Sequence, residues 1–92
     1  MATNVPPPAR FEASLIVGGL VHLVLHAQET AVAATWHIDD PNNTGGAHQP
    51  AYAGNIDEAK AAADAHAEAH AHHVLTHAGS AQQIPPITWH PV

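Results

Sequence analysis

The sequence predicts an α+β domain: a three-stranded antiparallel β-meander packed by one long C-terminal helix, with extended Pro-rich arms at both ends. Three observations predict it. Two alternating apolar runs, FEASLIV and LVHLVLHA, flank Gly18-Gly19, the signature of a hairpin. A third alternating run, AVAATWHI, follows closely enough to extend the sheet. Finally, Asn55 with Glu58 three residues on is a capping signal, and it opens an alanine-rich stretch that reaches Gly79 without a proline.

The elements follow in order. Residues 1–10 form an arm in which Pro6, Pro7 and Pro8 favour an extended conformation and forbid helix. Residues 11–78 form the single domain. Phe11, Ala13, Leu15 and Val17 share one face of the first strand, and Val21, Leu23 and Leu25 one face of the second. His22, Val24 and His26 then lie on the opposite face. The two apolar faces coincide only if the loop has an odd number of residues, because a one-residue slip turns every side chain over. A three-residue loop at Val17-Gly18-Gly19, pairing Leu15 with Val21, meets that condition with a glycine at positive φ. The third strand buries Val32, Ala34, Trp36 and Ile38, pairing Leu25 with Val32 and Val21 with Trp36. His37 faces outward with His22 and His26.

Residues 39–54 read as a polar loop. Asn55 caps a helix over residues 56–78, with Asp57 and Glu58 at its positive end and Gly79 beyond its last turn. At about 100° per residue, Ile56, Ala63, Ala67, Ala71, Val74 and Ala78 share the face that covers the sheet. Residues 79–92 form the second arm, carrying Ile84, Ile87 and Trp89 among its prolines.

Composition limits the functions open to such a domain. With 92 residues the chain is one domain with a small core. The absence of cysteine removes disulfides, thiolate metal sites and thiol nucleophiles. Two Lys and Arg residues, Arg10 and Lys60, against eight carboxylates argue against direct binding to a nucleic-acid backbone. Residues 14–27 faintly resemble the apolar stretch of a signal peptide, but Glu12, His22 and the flanking prolines speak against one, and the run is too short to cross a bilayer. A cytoplasmic or virion- and assembly-associated location is therefore expected.

Histidine is the chain's chemical reserve. Protonating all ten would turn the formal charge of −6 into +4, and an ordinary histidine titrates at about 6.5. On the helix, His66, His70, His73 and His77 form a stripe with two i, i+4 pairs, a spacing that can chelate Zn, Ni or Cu. The plainer reading is a polar border to the helix, with metal binding and a pH response standing beside it. No metalloenzyme spacing accompanies the stripe, and no cofactor is otherwise expected. His37 and Asp39 lie two apart on one strand face and could form a base–carboxylate pair, but no nucleophile motif joins them, so the expectation is a non-enzyme.

The stretch AGNIDEAKAAADAH, a polar cap followed by EAKAAA after a run of strands, is similar to small β-meander-plus-helix proteins of phage and actinobacterial genomes. HicB-like antitoxin domains share this coarse plan over residues 11–78. The resemblance implies the fold and no functional residue, since the usual appended DNA-binding segment is missing. The Ala, His, Pro and Gly bias fits a GC-rich host.

The expectation is a small protein-binding module, such as a phage or mobile-element accessory protein that inhibits a host factor or joins an assembly. Trp89, Ile87, Ile84, His22 and His26 are the candidate contact residues, because aromatic anchors on pre-extended segments bind at low entropic cost. The partner is another protein, with a homo-oligomer possible and neither nucleic acid nor membrane involved. The alternative is a His-rich protein that binds a transition metal or responds to pH through His66, His70, His73 and His77.

Overall fold

A computed structural model describes residues 8–92; residues 1–7, and the extended arm expected there, lie outside the described residues. The fold is α+β, with an antiparallel sheet on one side and one helix on the other. The sheet holds five strands rather than three: β1 (Arg10–Val17), β2 (Val21–Glu29), β3 (Ala34–Asp39), β4 (His48–Ala53) and β5 (His90–Pro91), in the spatial order β4-β3-β2-β1-β5.

The first hairpin has the expected parity but a different register. Val17 pairs with Val21 and Leu15 with Leu23, so the three loop residues are Gly18, Gly19 and Leu20. Gly18 takes φ +54°, and Leu20 N–H donates to the Val17 carbonyl at 3.2 Å. Shifting the loop by one residue at each end leaves the apolar faces together, which is the constraint that burial imposes.

The second hairpin departs further. Leu25 pairs with Ile38 instead of Val32, and Trp36 with Ala27 instead of Val21. Strand β2 runs on to Glu29, and the turn at residues 30–33 is closed by Thr30, whose N–H donates to the Ala33 carbonyl while its Oγ1 accepts the Ala33 N–H, both at 3.0 Å. Val32, expected in the core, sits at the tip of this turn and is 93% exposed. A threonine that bonds its own turn outweighed the apolar alternation of the run.

The expected loop at 39–54 contains β4, which pairs Ala34 with Ala53, Thr35 with Tyr52 and Ile38 with His48, with an irregularity between Trp36 and Ile38. Its sequence, HQPAYA, lacks apolar alternation and includes Pro50, which an edge strand tolerates because one row of its N–H groups has no ladder partner. Before it, residues 40–46 wrap round Asp40. Its Oδ2 accepts the Thr44 N–H and hydroxyl, each at 2.7 Å, and the Gly46 N–H at 2.9 Å.

Helix α1 (Ile56–His77) begins and ends as its sequence signals dictate. The Asn55 side chain accepts the Glu58 N–H at 2.8 Å, and Glu58 Oε2 reaches back to accept the Gly54 N–H at 2.9 Å. At the other end Gly79, at φ +67°, donates to Thr76, and Ser80 donates to Leu75, closing a Schellman motif. The buried residues are Ala59, Ala63, Ala67, Ala71 and Leu75, which share one core with Leu15, Leu23, Leu25, Val21 and Ile38 of the sheet. Four alanines in that row let the helix lie close on β2 and β3.

The C-terminal residues do not project as an arm. Ile84, Ile87 and Trp89 are half-buried against the chain's own core, and β5 adds to the edge of β1 by pairing Glu12 with His90 and Phe11 with Pro91.

Candidate functional site

The helix covers one face of the sheet. Outward-pointing residues of the strands make the other face, and the pairing aligns four of them in one row across the strands. Glu12 lies opposite both His90 and His26, and His26 lies opposite His37, giving the row His90, Glu12, His26, His37 over β5, β1, β2 and β3. Asp39 is the next outward residue of β3. On the same face stand His22, Val24, Ile16, which is 54% exposed, and Tyr52, which is 83% exposed.

His26 is the centre of this row. Its ring stacks on that of His37, with centroids 4.3 Å apart and planes 5° from parallel. Its Nε2 lies 2.9 Å from Asp39 Oδ2, and its Nδ1 lies 3.9 Å from Glu12 Oε2. A carboxylate only accepts, so Nε2 carries the proton shared with Asp39. Ligand atoms of His26, His37 and Asp39 all lie within 4.8 Å of one another, the group of this kind found among the described residues. Burial and the neighbouring His26 imidazole lower the His37 pKa below the ordinary histidine value, outweighing Asp39, which raises it. Glu12, Gln28, Thr35 and Val92 join the two imidazoles in lining a cleft of about 310 Å³.

The residues expected to act together on the helix are dispersed by its packing. His66 meets Trp36 and His48, edge-on to the latter at 4.6 Å between centroids. Burial lowers its pKa, with His48 and His70 adding to the effect. His70 Nε2 donates to Thr44 Oγ1 at 2.9 Å, since that hydroxyl already gives its own proton to Asp40. Asp40 itself ionises more readily than an ordinary carboxyl: burial opposes this, but the bonds from Thr44 and Gly46 and the nearby His70 prevail. His73 and His77 stack on each other at 5.7 Å. The stripe is thus divided between a loop clasp, an aromatic cluster and an exposed pair.

Of the residues expected to meet a partner, His22 and His26 lie on the open face, while Trp89, Ile87 and Ile84 contact the chain's own core. Trp89 Nε1 donates to Asp64 Oδ1 at 2.9 Å, which fastens the C-terminal segment to the helix. Sequence reasoning put His26, His37 and Asp39 on a common face but did not bring them together, because their convergence depends on the register of β2 against β3. Glu12 was missed as their neighbour; its outward position on β1 was the available signal.

Among the described residues no helix is long and apolar enough to cross a membrane. Compared with known proteins, the chain matches no family model, no curated protein and no solved structure.

Proposed function

We propose that the chain is a small, non-enzymatic protein-binding module whose contact surface is the open face of the sheet. The observation that carries this reading is that the helix covers only one face, leaving Ile16 and Tyr52 more than half exposed beside the half-buried His22, Val24 and His26. A sheet of five strands is normally packed on at least one side, and its second face is free to serve recognition. Apolar side chains interleaved with imidazoles, which can donate or accept, make a surface suited to a protein partner. The C-terminal segment, folded on its own core, supports the sheet edge in this reading and is not the contact itself.

The test is co-purification from the native host of the wild-type chain, an Ile16→Asp, Tyr52→Asp chain, and a chain truncated after Gln83. The exposed double substitution is expected to lose the partner while retaining the far-UV spectrum of the fold. Loss of the partner on truncation alone, with the double variant unaffected, would return the contact to the C-terminal segment.

A further inference from the structure

We infer that His26, His37 and Asp39 form a binding site for one divalent first-row transition ion, with Zn²⁺ as the reference case and Glu12 as the group that orients His26. Tetrahedral zinc, with bonds of about 2.0–2.2 Å, holds its ligand atoms roughly 3.3 Å apart. His26 Nε2 and Asp39 Oδ2 already stand at 2.9 Å, and all three ligand atoms lie within 4.8 Å. In the ion-free chain the Nε2 proton occupies the place between ring and carboxylate that the cation would take.

The stacked rings are nearly parallel, so binding requires them to tilt toward a common point, with the His26 proton moving from Nε2 to Nδ1. The helix lies on the opposite face of the sheet, and the His37 ring turns about χ2, a broad torsion. The three ligands sit on two paired central strands of the sheet, a more rigid platform than a loop. Water completes the coordination from the open side.

The second argument comes from the other end of the His26 ring. A metal-bound imidazole commonly gives its remaining N–H to a carboxylate, which fixes the tautomer and makes the ligand more basic. Glu12 Oε2 lies 3.9 Å from Nδ1, on the strand directly opposite, and a small side-chain movement closes that distance. Two imidazoles and one carboxylate favour zinc and its neighbours over magnesium or calcium, which prefer all-oxygen sites. The exposed His73–His77 pair is a competing chelator at i, i+4 spacing, and any test must separate the two.

The experiment is calorimetric titration of the full metal-free chain with Zn²⁺ alone, in five forms. Wild type is expected to bind one ion per chain at its tightest site. His37→Gln and Asp39→Asn each weaken that site by more than about tenfold, and Glu12→Gln weakens it by about tenfold. His73→Gln with His77→Gln leaves it unchanged. All five positions are exposed or half-exposed, and circular dichroism verifies that each variant is folded. Retention of full affinity in both His37→Gln and Asp39→Asn, or its loss only in the helix double variant, overturns the assignment.

Discussion

His26 and His37 stand directly opposite each other on β2 and β3, their rings stacked at 4.3 Å and 5° from parallel. Burial lowers the pKa of His37, and the neighbouring His26, which disfavours a second positive charge, adds to the effect. His66, on the other side of the sheet, is depressed as well, through burial and the nearby His48 and His70.

These two shifts predict a pH dependence of stability. Above about pH 6.5 both residues are neutral in the folded and unfolded chains and contribute no difference. Below it the unfolded chain takes up protons that the folded one resists, so stability falls as pH drops from about 6.5 toward the folded pKa values. Urea midpoints measured in EDTA between pH 7.5 and 5 should decline, and His66→Gln should make the decline shallower. A midpoint that rises toward pH 5 would contradict the assignment.

Trp89 and Asp64 give a second prediction. Burial raises the Asp64 pKa and Glu68 adds to it, while the Trp89 hydrogen bond and Lys60 act the other way. Trp89→Phe keeps an aromatic ring against the core and removes the donor. The Asp64 pKa should then rise further, read by NMR titration of its carboxyl carbon. Stability should drop by about 1–2 kcal/mol through the loss of a part-buried bond to a charged acceptor. An unchanged Asp64 titration would mean that the indole bond does not hold in solution.

The alanine row of the helix gives a third. Ala67 is fully buried between α1 and the sheet, so Ala67→Leu must push the helix outward. Overpacking of this kind costs about 1–3 kcal/mol, whereas the same change at exposed Ala65 should cost little. Urea denaturation of the two variants side by side checks the difference.

A fourth concerns the loop clasp. A Cβ added at Gly46 would lie 2.5 Å from His70 Cδ2 and 2.8 Å from Leu23 Cδ2, the latter in the core. Gly46→Ala should therefore displace residues 44–46 and break the Thr44–His70 hydrogen bond, seen as a changed His70 Nε2 resonance. An unperturbed resonance would show that the loop sits further from the helix than described.

The helix was legible in the sequence because its signals are local: Asn55, Glu58 and Gly79 mark ends whose hydrogen bonds lie within a few residues. The facing of β1 and β2 was legible too, since burial fixes which parity the hairpin must have. Register was not. Val32 fits the alternation of AVAATWHI as well as Ile38 does, and only the Thr30–Ala33 turn selects between them. Strand β4 carried no pattern to read, because an edge strand with one proline and small residues is held by its ladder rather than by its own side chains. The candidate site inherited that gap. His26, His37 and Asp39 were each placed on the outward face, but their proximity is a property of register, which the histidine-rich helix, more conspicuous in composition, does nothing to reveal.

The central claim is that the open face of the sheet is the contact surface, and histidine itself offers the most direct readout. The chain carries His22, His26 and His90 on that face and His72, His73 and His77 exposed or near-exposed on the helix side. Histidine acylation should be compared for the purified chain and for the chain in native host extract, both in EDTA, with modification at each position read by mass spectrometry. The account predicts that extract protects His22, His26 and His90 and leaves His72, His73 and His77 as reactive as before. Protection confined to the helix histidines, or equal reactivity in both conditions, would contradict it.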